Sequence, residues 1–199
     1  MISFNNINVS FNDKVLYKDF SISFEENTIN FIMGESGVGK TTLIKFIKNE
    51  LLAKNKKVSV SYQESRLIPW KNVYQNLELV IKKDYGKEKR KTLINAVLKN
   101  MNLLDSEELY PYELSGGMKQ RVSIARSIIY NGDIFIMDEP FKGLDIDNKK
   151  KIIEFLKNYF IEYKKTVIIV SHDINEVKEF TSNYILLKGN PIIKEIKYI

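Results

Sequence analysis

Apolar and polar residues alternate at the start of the chain. Phe20, Ile22 and Phe24 are separated by polar neighbours, and the stretch from Ile2 through Val9 is strand-like as well, which predicts an antiparallel opening sheet. Residues 28–33 read as a short strand that runs straight into a glycine-rich segment, after which Leu43, Ile47 and Leu51 recur at helical spacing. Residues 58–62 form a further strand. From about residue 64 to 130 the pattern becomes helical: Leu93, Val97 and Met101 share one face, and Met118, Val122, Ala125 and Ile129 share another. A β/α alternation resumes with an apolar strand at 134–137, a helix from about Asn148 to Lys164, a strand at 166–170, a helix near 174–180 and a hairpin turning around Lys188-Gly189-Asn190-Pro191. These elements predict an α/β core with a helical insertion over about residues 64–130. With no low-complexity linker and no internal repeat, residues 1–199 are expected to form a single domain.

Composition narrows the class. Hydrophobic residues are 44% and charged residues 28% of the 199, as in ordinary globular proteins, which excludes a disordered or membrane-embedded chain. No apolar run approaches the eighteen or so residues that cross a bilayer, and Met1-Ile2-Ser3-Phe4-Asn5 lacks the basic start and apolar core of a signal peptide, so a cytoplasmic location is expected. The absence of cysteine excludes disulfides and thiolate metal sites; any metal must be held by oxygen or by the one histidine, which points to Mg²⁺. A net charge of +6 is compatible with nucleic acid, an anionic membrane surface or a phosphate ligand and selects none of them. The densest basic stretch, residues 82–91, has acids interspersed and reads as a solvated helix face before a membrane-facing patch.

Gly34-Glu35-Ser36-Gly37-Val38-Gly39-Lys40-Thr41 satisfies G-x-x-x-x-G-K-[ST] and lies between a predicted strand and a predicted helix. Glycines let the backbone curl so that successive N–H groups face phosphate oxygens, and the helix that follows adds its positive end. Lys40 is placed to neutralise the outer phosphates, Thr41 offers a hydroxyl to Mg²⁺, and Thr42 continues the nucleotide-binding run. A surface turn could hold three glycines, but would need neither the Lys-Thr pair nor the flanking strand and helix. Taken alone the loop marks only a P-loop nucleotide binder, a class that includes kinases and GTPases.

Residues 134–137 run into Asp138-Glu139-Pro140, an apolar strand ending in two acids, where parallel sheets bind ligands. Asp138 can reach a Mg²⁺ shell there, and Glu139 can polarise an attacking water. An ordinary strand exit would look the same in isolation. His172, the lone histidine, follows the strand at 166–170 and is expected in the same crevice, within reach of a γ-phosphate.

Leu114-Ser115-Gly116-Gly117-Met118-Lys119-Gln120-Arg121 resembles the signature sequence of ATP-binding cassette (ABC) ATPases, although Ser115 before a helix is also a common cap. Its position between the phosphate loop and the acidic strand end matches the family's order, and the resemblance covers nearly the whole chain. It implies a P-loop NTPase (RecA-like) α/β core with an N-terminal antiparallel β subdomain and a helical signature subdomain. It also implies ATP as substrate, Mg²⁺ as cofactor, and ATP hydrolysis. Further roles follow from the resemblance alone: Phe11 as the aromatic that stacks on adenine, with Tyr17 a rival; Gln63 as a residue touching Mg²⁺ and water; Asp145, in Phe141-Lys142-Gly143-Leu144-Asp145, reaching a partner subunit; and His172 as the switch histidine. The family's arrangement is a nucleotide-induced dimer, expected here as a homodimer, in which ATP on one Gly34–Thr41 loop is closed over in trans by Ser115, Gly116 and Gly117 of the other subunit. Two departures stand out: the stretch from Lys40 to Gln63 is short for the family, and Lys142-Gly143 replaces a common Ser-Ala.

Gln63-Glu64-Ser65-Arg66-Leu67-Ile68-Pro69-Trp70-Lys71-Asn72-Val73 looks like importer cassettes of the nitrate, sulfonate and taurine kind. That resemblance implies integral membrane permease subunits as partners, room in the system for an extracytoplasmic solute-binding protein, no nucleic acid, and a cytoplasmic, peripheral position on the inner membrane face. Trp70 and Leu67 could anchor such a partner or pack inside the helical part. The alternative is a soluble ABC ATPase acting on DNA, ribosomes or cofactor assembly, but the chain has neither the coiled-coil insertion nor the tandem cassettes of such proteins. A small-molecule kinase would leave 114–120 unexplained.

Overall fold

The computed structural model describes residues 1–11 and 14–199, with only the backbone of residues 11 and 14. The Phe11 side chain, expected to stack on adenine, therefore lies outside the described residues. In chain order the elements are β1 (Ile2–Phe11), β2 (Lys14–Phe24), β3 (Ile29–Met33), α1 (Lys40–Ala53), β4 (Val58–Ser61), α2 (Val73–Glu78), α3 (Lys87–Asn100), α4 (Gly116–Tyr130), β5 (Ile134–Asp138), α5 (Ile146–Glu162), β6 (Thr166–Val170), α6 (Ile174–Phe180), β7 (Asn183–Lys188) and β8 (Ile193–Tyr198). They fall into two compact units: residues 1–58, 133–139 and 159–199, and residues 59–132 with 140–158.

In the first unit β1 and β2 pair antiparallel, with Ile2 opposite Phe24, and the alternation read from sequence buries Phe20, Ile22 and Phe24 together with Phe4 and Ile7. A second sheet holds β5, β6, β3, β7 and β8 in that order. Its β5–β6, β6–β3 and β3–β7 pairs are parallel and β7–β8 is antiparallel. All five residues of β5 and of β6 are buried, which is why 134–137 and 167–170 read as unbroken apolar runs: parallel strands are covered on both faces. Helix α1 buries Leu43, Ile44, Ile47 and Leu51, each contributing about 1.5–3 kcal/mol. Register then fixes the site. Asp138 lies opposite Val170, and Val170 opposite Ile32, so β5, β6 and β3 end at one level. The next residues along those three strands are Glu139, Ser171-His172 and Met33-Gly34.

The second unit is organised around α4. Residues 120–125 and 127–129 of this helix are buried, more than one apolar face would require, so α4 is a core helix and not a surface one. Helix α3 departs from its predicted face: Ile94, Leu98 and Met101 are buried, while Leu93 and Val97 are only half-buried. Its apolar stripe is wide enough to contain both rows, and packing against α2 and α4 centres it on the second. Residues 64–130 are also less helical than their pattern suggests, since α2 has only six residues and residues 62–72 are irregular. The buried Asn76 holds that irregular segment, accepting from the Ile68 N–H and donating to the carbonyls of Ile68, Lys71 and Asn72. Helix α5 starts at Ile146, two residues before the predicted start, because Asp145 caps it by accepting from the Asn148 N–H at 2.9 Å.

Candidate functional site

The phosphate loop leaves β3 and turns into α1 at Gly39, which takes φ 110, a left-handed conformation that favours glycine. Gly39 has no side chain to cap the helix and the first turn of α1 carries no acid, so its orphan N–H groups have no capping partner within the helix. Glu35, Ser36, Gly37 and Thr41 are exposed, Val38 and Thr42 half-buried. Lys40 is buried, and its ammonium donates to the carbonyls of Gly34 (2.7 Å) and Glu35 (2.8 Å), filling the curl of the loop. Desolvation pushes its pKa down, against the pull of Glu139 and Asp138. Beside the loop opens a pocket of about 460 Å³ lined by Leu16 and residues 35–38 and 186–190.

The strand ends bring the acids to this loop. The Thr41 hydroxyl donates to Asp138 Oδ2 at 3.1 Å, and Asp138 is buried. Burial pushes the Asp138 carboxyl up and Glu139 adds to that, while the Thr41 hydrogen bond, Lys40 and Lys45 pull it down. Hydroxyl and carboxylate oxygen are the donors a hard divalent cation takes. Among the described residues no group of three His, Cys, Asp or Glu could cage a metal, so a cation here would keep several waters or phosphate oxygens, as Mg²⁺ prefers. Glu139 sits at φ 45, left-handed for a residue with a side chain, and its N–H donates to the Val170 carbonyl at 2.9 Å. Its Oε1 lies 3.2 Å from His172 Nδ1. If Nδ1–H points at that carboxylate, a neutral ring leaves Nε2 as an acceptor, and only the imidazolium donates from both nitrogens. The turn carrying His172 is itself fixed: the Ser171 hydroxyl donates to Glu176 Oε2 at 2.6 Å and accepts from the Asp173 N–H at 3.0 Å. Nothing in the spacing of Ser171 and Glu176 singled them out in the sequence.

The second unit holds the remaining predicted residues. Gln63 is exposed, and the segments on either side of it are tied to α4. Ser61 bonds Ser123 at 3.3 Å, and Arg126 donates to the carbonyls of Ser65 (2.9 Å) and Arg66 (3.0 Å). Ser115 caps α4 through Met118 N–H at 3.2 Å, and Gly116 follows it exposed, with open space where a Cβ would stand. Gly117 differs: a Cβ there would come within 2.9 Å of the Gly143 carbonyl, so this glycine lets the loop before α5 pack against the start of α4. Asp145 is exposed; its two hydrogen bonds from Asn148 hold its carboxyl below the usual range. The rival for adenine stacking, Tyr17, is corrected by its surroundings. It is 1% exposed, packs edge-on against Phe20 and donates its hydroxyl to the Gly39 carbonyl at 3.1 Å, so its ring has no free face for a base.

The family pattern described as ABC transporter matches residues 17–142, from Tyr17 through the phosphate loop, the signature segment and the acidic strand end. The chain belongs to the ABC transporter family. Among relatives, an aliphatic sulfonates import ATP-binding protein SsuB of Zymomonas mobilis is 32% identical, the match covering 96% of this chain and 83% of that protein. A solved structure described as the dimeric structure of MJ0796, a bacterial ABC transporter cassette, superposes with a TM-score of 0.88 at 28% identity, covering 100% of this chain and 98% of the other. A post-hydrolysis dimeric structure of the same cassette bound to ADP and Pi gives 0.87 with the same identity and coverage. This ABC protein therefore has the P-loop NTPase (RecA-like) core with an N-terminal β subdomain and a helical subdomain, and it is the ATP-binding, ATP-hydrolysing subunit of an ABC transporter.

Proposed function

We propose that this subunit powers import of a small solute, of the sulfonate kind its relatives are named for, through separate membrane permease subunits. The observation that carries the hydrolytic part is the convergence of Lys40, Thr41, Asp138, Glu139 and His172 at the level ends of β3, β5 and β6. Residues 34–42 hold the phosphates of ATP, and the pocket beside them has room for the nucleoside. Thr41 and Asp138 would hold Mg²⁺, which would neutralise charge on the phosphate oxygens. Glu139 orients a water against the γ-phosphorus and accepts its proton, and His172 holds Glu139 in place and reaches the γ-phosphate.

The trans half of the site is supplied by Ser115, Gly116, Gly117 and Asp145 of a second copy, and the two units of each chain work as one ABC ATPase domain. Gly116 supports this reading because no intramolecular contact requires a glycine there, and Ile146, next to Asp145, is 85% exposed. A dimeric relative of the same fold agrees with it. For the membrane partner, Trp70 is 75% exposed on a segment that Asn76 pins, so the indole is presented and not packed inside. Among the described residues no helix is long and apolar enough to cross a membrane, which fits a peripheral subunit at the cytoplasmic face held by permeases.

The test is Glu139→Gln. With ATP and Mg²⁺ it should run as a stable dimer by light scattering and lose hydrolysis at least about 100-fold. A monomer that turns over ATP at the unsubstituted rate would refute both the assignment of Glu139 and the composite site. For the partner, Trp70→Cys should crosslink in native membranes to an integral membrane protein encoded beside this chain, and crosslinking only to soluble proteins would overturn the importer reading.

A further inference from the structure

We propose that Tyr17 is a positioning residue for nucleotide binding: its hydroxyl fixes and polarises the Gly39–Lys40 peptide so that the Lys40 N–H is presented to phosphate. The inference rests on the reading of residues 34–42 as the phosphate cradle. Tyr17 lies in β2, outside the loop, yet its phenol reaches the Gly39 carbonyl at 3.1 Å. That carbonyl also accepts the first helical bond of α1, from the Leu43 N–H at 3.0 Å. Two donors on one carbonyl hold the plane of its peptide, and the other end of the same peptide is the Lys40 N–H, first of the helix donors that have no helical acceptor. Hydrogen bonds at the oxygen draw electron density from the nitrogen, which makes that N–H a better donor to an anion.

The contact has no slack. A Cβ on Gly39 would meet Tyr17 Oη at 3.2 Å, Leu16 Cδ2 at 3.2 Å and Ile192 Cδ1 at 2.8 Å. The Ile192 N–H in turn donates to the Leu16 carbonyl at 3.0 Å, so the turn between β7 and β8 clamps β2 behind the loop. Burial pushes the Tyr17 phenol well up, and the hydroxyl stays a donor at every pH the protein meets. A phenylalanine would fill the same space and lack only the hydroxyl, and the Gly39 carbonyl would keep its bond from Leu43. The hydroxyl is therefore not required to satisfy a buried group.

Tyr17→Phe in the full chain should weaken ATP and ADP binding about three- to tenfold, the worth of one hydrogen bond, and raise KM for ATP by a similar factor with kcat little changed. Adenosine binding should stay as it is, the unfolding midpoint should fall by no more than about 2–4 °C, the worth of the one intramolecular bond, and the Lys40 amide proton should move upfield in the nucleotide-free protein. Unchanged ATP affinity in Tyr17→Phe, with Lys40→Ala losing binding, would overturn the proposal and leave the phosphate-loop reading standing. Equal weakening of ATP and adenosine alongside a larger fall in the midpoint would make Tyr17 a structural residue only and overturn it too. Unimpaired ATP binding by Lys40→Ala would instead remove the reading on which the proposal rests.

Discussion

Thr41 donates its hydroxyl to Asp138 across 3.1 Å, tying the first turn of α1 to the end of β5. Burial raises the Asp138 carboxyl, which means that its ionised form is disfavoured in the folded chain relative to the unfolded one. Asp138→Asn keeps an acceptor for Thr41 and removes the buried charge. Its nucleotide-free unfolding midpoint should therefore equal or exceed that of the unsubstituted protein, while Mg²⁺-dependent hydrolysis falls at least about 100-fold. Calorimetry and a phosphate-release assay read the two effects, and a lowered midpoint would make the carboxylate a structural anchor.

Glu139 carries a strained backbone position. A left-handed backbone costs an L-residue about 1–2 kcal/mol, and φ 45 places Glu139 there. Glycine removes that strain at about 0.5–1 kcal/mol of chain entropy. Glu139→Gly should be no less stable than the unsubstituted protein in urea titration while losing hydrolysis. A loss of more than about 1 kcal/mol would show that the bond to His172 outweighs the backbone strain.

Neighbouring glycines in the signature segment should behave differently. Gly117→Ala forces a methyl to 2.9 Å from the Gly143 carbonyl and should lower stability by about 1–3 kcal/mol. Gly116→Ala meets nothing within 4 Å and should leave the unfolding midpoint unchanged or raised while reducing ATPase activity. Identical behaviour of the two in thermal melts and ATPase assays would refute the distinction.

Trp70 and Asn76 should also separate. Trp70→Ala, at a site 75% exposed, should change stability by no more than about 0.5 kcal/mol and weaken copurification with the permease. Asn76→Ala leaves the groups of residues 68–72 without partners in a buried setting and should lose about 2–3 kcal/mol. A stable Asn76→Ala variant would mean that other contacts hold the Trp70 segment.

Much of this was legible because the strongest patterns are local. The strand at 166–170, the helix near 174–180 and the phosphate loop each follow from contiguous residues, and the structure has them at those positions. Partners distant in sequence were not legible. The role of Tyr17 depends on a hydrogen bond across 22 residues, and no periodicity distinguishes its hydroxyl from a core ring. Two adjacent rows of α3 are apolar, so periodicity alone does not centre its stripe, and tertiary packing settles it on Ile94 and Leu98. Helix α5 starts two residues before the position its pattern predicts because Asp145 caps it through its bonds from Asn148, a contact that no periodicity marks.

The level ends of β3, β6 and β5 also determine where this chain can change length. Deleting or inserting one residue inside any of these strands would shift its terminal group by about 3.3 Å and turn it to the other face of the sheet. Gly34, Glu139 and His172 would then lose their common edge, however well the chain still folded. Loops and helices between the strands carry no such constraint. The short span from Lys40 to Gln63 is thus a place where residues can be lost without disturbing the alignment, whereas the five-residue strands on which that alignment depends are not.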